Sequence, residues 1–260
     1  MHSSVRMLAA AAGAAVLSLT GTSVAHAAPS GAVNLTCTGG DIVSGTYHNV
    51  TVTGVCTVPD GADVTILGNL RVAPGATFDA QTHSTVTIMK NVTAGPGSFF
   101  GLGCTEAHPC NDGLPGTQTD KVYGNVTLHQ VFDAAINGDW IGGNLIANGG
   151  GAGLLDPEQQ FVPFSVKDDV VEGNVVVSGL TTVWFGVIRS QIGKNLIVMN
   201  VSLSDPDGNE IVANTIGRNL ICSGNDPAPQ FGDAVEEGPP GYGPNSVGGQ
   251  ALGQCAGLAG

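Results

Sequence analysis

Six acidic side chains in the second half of the chain are the residues best suited to catalysis. They are Asp139, Asp168, Asp169, Asp205, Asp207 and Glu210. Cleavage of a glycosidic bond needs two carboxyl groups at a set separation, and elimination from a uronate needs a base together with cations. Cations are scarce, because the last third of the chain has Arg189, Lys194 and Arg218 alone. The pattern favours a protein without chemistry of its own, and a carbohydrate-binding or polysaccharide-degrading protein is the alternative.

Two further groups of residues have the composition of metal sites. The first combines two thiols and an imidazole in a Gly/Pro-rich stretch: Cys104, His108 and Cys110. It lacks a fourth ligand for zinc. The second, in SDPDGNE, offers hard oxygen ligands around a glycine turn: Asp205, Asp207 and Glu210. Because it lacks the full series of calcium ligands, we expect a loop staple in the first case, a solvated turn in the second, and no cofactor.

The first 27 residues have the character of a secretory signal peptide. Arg6 is followed by an apolar run from Met7 to Leu19, and Ala25-His26-Ala27 fits a small-x-small cleavage site. The run is shorter than the roughly 20 residues of a membrane-spanning helix. We therefore predict cleavage before Ala28 and a secreted or cell-surface protein without an integral membrane segment.

The remaining residues, 28–260, are predicted to form a single domain. They carry 7 basic and 21 acidic side chains, so their formal charge is 7 minus 21, or minus 14. Such a balance argues against nucleic acid and anionic membranes as partners. Six cysteines in an exported chain predict disulfides. Although 15 pairings are possible, the spacing favours three local ones: Cys37 with Cys56, Cys104 with Cys110, and Cys222 with Cys255.

A short motif, Gly-x-Asn followed by alternating apolar residues, recurs along the chain. Its anchor asparagines are Asn49, Asn69, Asn91, Asn125, Asn144, Asn174, Asn195 and Asn219. Successive gaps are 20, 22, 34, 19, 30, 21 and 24 residues, which indicates one repeated unit with two insertions. The period-2 pattern after each asparagine is typical of a short strand with one buried face.

One such unit cannot bury its apolar face alone, whereas stacked units merge their faces into a continuous core. The sequence therefore predicts an all-β protein, a right-handed parallel β-helix of about eight or nine coils held by disulfides. The asparagines would stack at equivalent corners as an amide ladder. A β-sandwich is the structural alternative, but it gives no reason for the recurring asparagine.

Long insertions are predicted near 95–120, 149–168 and 223–246, at similar distances after an anchor asparagine. They should leave the stack along one edge, where repeat proteins often bind their partners. The outward position of the anchor strand also turns aliphatic in the later units. We call these four residues the aliphatic stripe: Ile146, Val176, Ile197 and Ile221.

The aliphatic stripe needs a cover. The simplest cover is the second insertion, with apolar side chains at Leu154, Leu155, Phe161, Val162 and Phe164. Another protein chain is the alternative. Exposed aromatic residues such as Trp140, Trp184 or Tyr242 could stack on sugars, although Trp184 lies in an apolar segment and is expected in the core.

The repeat, together with the ending NLICSGNDPAPQFGD and SVGGQALGQCAGL, resembles a group of exported actinobacterial proteins of unknown function that are predicted β-helices. The repeat is also distantly similar to the bactofilins, cytosolic β-helices without disulfides that polymerise end to end. These resemblances imply the fold and no catalytic residue. We expect a secreted structural or interaction protein that acts through the insertion edge, with a cell-envelope glycan, a protein or a second copy as its partner.

Overall fold

The computed structural model describes residues 31–160, 162–231 and 243–260, which contain β-strands and turns but no helix. Within these ranges, no helix could therefore cross a membrane. The predicted signal peptide lies outside the described residues, as do residues 232–242 of the third predicted insertion. Ala32–Gly260 group as one unit, and three parallel sheets account for its strands.

The first sheet has 18 strands. Two of them open it: β1 (Val33–Cys37) and β3 (Gly45–Val52). Eight leading strands precede an anchor residue: β5 (Asp63–Ile66), β8 (Thr85–Ile88), β11 (Lys121–Val122), β14 (Trp140–Ile141), β17 (Val170–Val171), β21 (Gln191–Ile192), β25 (Thr215–Ile216) and β27 (Ser246–Val247). Eight anchor strands follow it: β6 (Leu70–Val72), β9 (Val92–Ala94), β12 (Val126–His129), β15 (Leu145–Asn148), β18 (Val175–Ser178), β22 (Leu196–Met199), β26 (Leu220–Ser223) and β28 (Ala251–Gly253).

The second sheet has eight strands and the third has two. The second sheet consists of β2 (Gly40–Asp41), β4 (Val55–Thr57), β7 (Thr77–Ala80), β10 (Phe99–Leu102), β13 (Asp133–Asn137), β16 (Pro163–Lys167), β20 (Trp184–Ile188) and β24 (Asn209–Val212). The third sheet pairs β19 (Thr181–Thr182) with β23 (Ser202–Leu203). Successive repeat units thus contribute strands to the same sheets.

Each strand pairs in parallel with the equivalent strands of the units before and after it. In the first sheet β12 lies between β9 and β15, and in the second sheet β13 lies between β10 and β16. Every described pairing is parallel, which excludes the antiparallel β-sandwich. The all-β, disulfide-linked part of the prediction is confirmed, and the pairing is consistent with a parallel β-helix.

The core forms because alternate side chains of the anchor strands point inward. In β12, Val126 and Leu128 are buried, while Thr127 between them is half-buried. Val126 is in register with Val92 before it and Leu145 after it, so the buried side chains form continuous rows. Full burial of each such side chain contributes about 1.5–3 kcal/mol. The rows fill the space between the sheets. The side chain between two buried ones, such as Thr127, faces outward.

The anchor asparagines form a hydrogen-bonded ladder along one edge of the stack. From Asn49 to Asn195, the side-chain Oδ1 of each accepts the backbone N–H of the next at 2.8–3.2 Å. From Asn91 onward, each Nδ2 also donates to the preceding Oδ1 at 2.9–3.4 Å. The amide therefore satisfies a backbone donor at the corner where the chain changes direction.

The ladder continues beyond the residues that the repeat identifies. At the first unit, Asn49 donates from Nδ2 to Asn34 Oδ1 at 2.9 Å. At the last unit, the backbone N–H of Gln250 donates to Asn219 Oδ1 at 2.9 Å. Gln250 occupies the anchor position of a further unit, which is why a search for asparagine alone does not find it.

Three disulfides link the pairs that the sequence spacing favours. Cys37–Cys56 lies at the first unit, Cys222–Cys255 at the last, and Cys104–Cys110 inside the loop after β10. No described cysteine is free. Disulfides of this number are typical of proteins that fold in an oxidising compartment.

Two predicted insertions are shorter than the sequence suggests. Phe99–Leu102 and Pro163–Lys167 are strands of the second sheet, so the loops proper span residues 103–120 and 149–162. Phe164 is 1% exposed and packs on Phe185, with ring centroids 6.1 Å apart. Neither strand contains an anchor asparagine. Because the units are identified by that residue, the sequence prediction assigns both strands to the insertions.

The ladder makes a quantitative prediction for Asn174, which lies in its half-buried middle. Asn174→Ala removes one donated and two accepted hydrogen bonds and should lower the free energy of unfolding by about 2–4 kcal/mol. Urea denaturation measures this loss. The matched control, Asn148→Ala, removes an exposed asparagine from the neighbouring strand end and should cost less than about 0.5 kcal/mol. Equal losses in the two variants would refute a stabilising ladder.

Candidate functional site

Two of the six acids that the sequence singles out, Asp139 and Asp169, belong to a second polar column inside a corner of the stack. The column lies immediately before the leading strands, and its members are 0–2% exposed. We call it the corner column: Asp120, Asp139, Asp169, Ser190, Asn214 and Asn245. Each member ends the turn that follows a strand of the second sheet or its loop.

Hydrogen bonds run along the corner column from one unit to the next. The backbone N–H of Asp139 donates to Asp169 Oδ1 at 2.8 Å, and that of Asp169 donates to Ser190 Oγ at 3.2 Å. Ser190 N–H donates to Asn214 Oδ1 at 2.9 Å, and Asn214 N–H donates to Asn245 Oδ1 at 3.1 Å. As in the anchor ladder, side-chain oxygens accept backbone N–H groups of the neighbouring unit, but here the corner is fully buried.

Three consecutive members of the corner column are carboxylic acids without a basic partner. Asp139 and Asp169 are each 1% exposed and Asp120 is 2% exposed. Neither carboxyl oxygen of Asp139 has a hydrogen-bond partner, and nor does Oδ2 of Asp169. Burial raises the pKa of Asp120 to about 7. Burial, followed by the charges of Asp120 and Asp169, raises the pKa of Asp139 well above its usual value.

Burial also raises the pKa of Asp169 well above its usual value. Deprotonation of all three acids would place adjacent negative charges in a medium that stabilises them poorly. The column therefore favours protonated, neutral carboxyl groups near neutral pH. Gly103 packs directly against it, because a Cβ there would lie 2.3 Å from Asp139 Oδ1. Such a closed corner leaves no room for a substrate at Asp139.

A surface cluster lies next to the corner column, where the chain turns out of the second sheet. Asp168 and Arg189 both have positive φ angles, 61° and 53°, a strained conformation for residues other than glycine. Arg189 binds the Asp168 carboxylate through Nε and a terminal nitrogen, each at 2.6 Å. Thr105 Oγ1 donates to Asp168 at 3.3 Å, and Arg189 lies 3.3 Å from His108 Nε2. The disulfide loop thus packs onto two later repeat units.

The surface cluster continues on the outer face of the second sheet. Lys167 Nζ lies 4.5 Å from the centre of the Trp184 ring, and Trp184 Nε1 donates to Glu210 at 3.1 Å. Trp184 is 7% exposed and packs with Ile188 and Val212 in a small apolar cluster of its own. The predicted core position of Trp184 is therefore correct only in part, since its side chain is buried on the outer face.

Two basic side chains of the surface cluster have pKa values that are lowered by their surroundings. Burial lowers the pKa of His108 to about 4, and the charges of Lys167 and Arg189 contribute to the decrease. Burial also lowers the pKa of Lys167 to about 8, against the opposing charge of Glu210. His108 is therefore neutral at physiological pH, and the charges of Lys167 and Arg189 are balanced by those of Asp168 and Glu210.

The zinc site that Cys104, His108 and Cys110 would form is absent, because the two sulfurs are bonded to each other. His108 instead faces Arg189. Among the described residues, the one group that meets the spacing of metal ligands also includes a disulfide sulfur: His83, Cys110 and Asp112. His83 Nε2 lies 3.3 Å from Asp112. We interpret this group as a contact that holds the disulfide loop against the earlier unit that contains His83.

The weaker calcium candidate is divided between two environments. Asp205 and Asp207 lie in one turn, where Asp207 N–H donates to Asp205 Oδ1 at 3.3 Å. Glu210 lies in β24 and accepts the indole N–H of Trp184. The three carboxylates serve different contacts, and the segment is a turn followed by a strand.

The aliphatic stripe lies on the outer face of the anchor strands. Its four residues are in register and half-buried, and Leu252, which is 40% exposed, extends it by one unit. The second insertion is attached elsewhere: Gly151 N–H donates to Val131 O at 2.7 Å, and Gly153 N–H donates to Thr181 O at 2.9 Å. Leu154 is 61% exposed, Phe164 lies in the core, and Phe161 lies outside the described residues.

A sequence signal for the corner column exists but is easily missed. From Asp120 onward, a small polar residue stands five positions before each anchor residue, as in Asp139 and Asn144, Asp169 and Asn174, or Asn245 and Gln250. It is hidden because the residue type changes from aspartate to serine to asparagine along the chain. The common requirement is a side-chain oxygen that accepts a backbone N–H.

No protein-family model matches the chain, and neither does a curated protein or a solved structure. The geometry of this chain is therefore the basis for the proposals that follow.

The corner column predicts that the folded chain loses stability as pH rises from 4 to 8. Unfolded aspartates release their protons near pH 4, whereas in the folded state Asp120 keeps its proton up to a pKa of about 7, and the pKa values of Asp139 and Asp169 lie well above their usual value. Each retained proton costs about 1.4 kcal/mol per pH unit within that window. His108, with its lowered pKa, acts in the opposite direction between pH 4 and 6.5 but contributes one proton. Lys167 acts above pH 8.

Asp139→Asn isolates this effect, because asparagine already fills the same position at Asn214. The variant should match the parent near pH 4 and exceed its free energy of unfolding at pH 8, as measured by urea denaturation. Asp207→Asn, in an exposed turn, should leave the pH profile unchanged. A parent chain that gains stability between pH 4 and 8 in parallel with Asp139→Asn would contradict the prediction.

Proposed function

We propose that the chain is an exported, right-handed parallel β-helix that acts by binding, as a cell-envelope or extracellular interaction protein, and not by catalysis. The parallel pairing of successive units supports the solenoid, and parallel crossovers are right-handed in the great majority of proteins. The three disulfides and the apolar leader sequence support export.

The proposal rests on the burial and the bonding partners of the candidate acids. Asp139 and Asp169 are enclosed in the corner column, and Asp168 is bound through both carboxylate oxygens by Arg189. Acid–base cleavage of a glycan needs two accessible carboxyl groups with room for the sugar between them. Freeing these acids would break the contacts that hold the corners of the stack.

The insertion edge supports binding as the mode of action. The disulfide loop reaches earlier units through Asn111, whose N–H donates to Gln81 O at 2.9 Å, and later units through Thr105 and His108. The loop is therefore fixed across several units. Ordered loops on one side of a repeat protein often form its binding surface.

A turnover assay tests the proposal. The purified, oxidised chain should leave pectin, alginate and a neutral β-glucan at their original length, because Asp139 and Asp169 are enclosed and Asp168 is bound by Arg189. Size-exclusion chromatography with a reducing-end assay measures the products. Shortened oligosaccharides that disappear in Asp168→Asn, but persist in the exposed control Asp207→Asn, would establish an enzyme and overturn the proposal.

A further inference from the structure

One side chain per unit projects outward from the leading strands in a straight line. We call this line the track: Thr65, Thr87, Lys121, Trp140, Val170, Gln191, Thr215 and Ser246. Its members are in register from strand to strand, and each is exposed or half-buried. With a spacing of roughly 4.8 Å between parallel strands, the seven steps of the track span about 34 Å.

Trp140, near the middle of the track, is held in a fixed orientation. Its indole Nε1 donates to Glu172 at 3.3 Å, and its ring meets Tyr123 edge to face, with centroids 5.1 Å apart and planes at 67°. Gly142 lies under the ring, because a Cβ there would be 2.6 Å from Cη2 of Trp140. These three contacts fix the orientation of the Trp140 ring, which does not belong to the hydrophobic core.

Groups that form hydrogen bonds surround this ring. Lys121 and Gln191 are exposed on either side of it along the track, and Glu172 and Tyr123 are exposed beside it. A shallow groove continues from Trp140 toward the last units, and its lining includes Val170, Glu172, Gln191, Gly193, Thr215 and Gly217. The glycines in this lining leave a channel parallel to the line of units.

The chemistry of the track fits a sugar chain. A pyranose ring has an apolar C–H face, which packs on a flat aromatic surface, and hydroxyl groups that bond to amides, carboxylates and hydroxyls. The spacing of the units is close to the length of one sugar in an extended glycan, so successive sugars can meet equivalent positions. A peptide that binds as an additional strand would require free backbone groups, which the paired leading strands do not offer.

Charge decides which glycans fit. Lys121 is the one charged side chain within the track, and the exposed Glu172 beside Trp140 opposes its charge. The whole chain carries a formal charge of minus 13, which repels polyuronates and other polyanions. The combination favours a glycan without charge.

We propose that the track binds a linear neutral glycan, which lies along the line of units with one sugar ring on Trp140. The inference rests on the proposed binding function and gives it a ligand class. Binding requires no rearrangement of Trp140, since Tyr123, Glu172 and Gly142 already hold the ring in place.

Isothermal titration with neutral hexaoses tests the proposal, using β-1,4-linked glucose, mannose and xylose and α-1,4-linked glucose as probes. At least one hexaose should bind, and Trp140→Ala should weaken its affinity roughly tenfold or more. Trp140→Phe, which keeps a ring, should lose less. The matched control is Phe132→Ala, which removes a 47% exposed aromatic residue outside the track and should bind as the parent does. Thermal unfolding confirms that each variant folds.

The outcomes separate the two proposals. If no hexaose binds, or if Phe132→Ala weakens binding as much as Trp140→Ala, the track is not a glycan site, although the binding function without catalysis stands. If a hexaose binds at Trp140 and is shortened during the titration, the track stands and the proposed function fails. A galacturonate hexamer that binds more tightly than every neutral probe would refute the assignment to uncharged glycans.

Discussion

Backbone donors at the corners of the stack are the constraint on which the rest of the structure depends. Along the strands, each N–H finds a carbonyl in the next unit, but at a corner the chain turns and some donors lose that partner. Side-chain oxygens replace it, from Asn49 to Asn219 at one corner and from Asp139 to Asn245 at another. The spacing of these residues fixes the length of each unit.

This constraint explains why Asp139 and Asp169 are buried inside the stack. At Asp139 and Asp169 a carboxyl group performs the role that an amide performs at Asn214, and the shared role is acceptance of a backbone N–H. The result is a buried acid whose protonation is linked to folding. The outward residue Asp168 is paired with Arg189 and contacts the loop through Thr105, and Glu210 accepts the indole N–H of Trp184 and opposes the charge of Lys167.

The sequence was sufficient to predict the parallel units, because the anchor asparagine has one residue type and a nearly regular spacing. The three cysteine pairs also followed from spacing, since each is local to one end or one loop. The corner column was not predicted, because three residue types meet its single requirement. The second sheet was mistaken for insertion at Phe99–Leu102 and Pro163–Lys167, where apolar residues carry no motif. Trp184 shows a further limit, since hydrophobic patterning does not reveal which face a loop will cover.

The positions of the terminal disulfides affect how the stack comes apart. In a linear array each unit contacts only its neighbours, so fraying starts most readily from a free end, where a single interface has to open. Cys37–Cys56 and Cys222–Cys255 fasten the first and last units to the chain beside them. Peeling from either terminus is thereby blocked while the bonds are oxidised. Rupture must then begin in the interior and break two interfaces at once, which raises the barrier to unfolding.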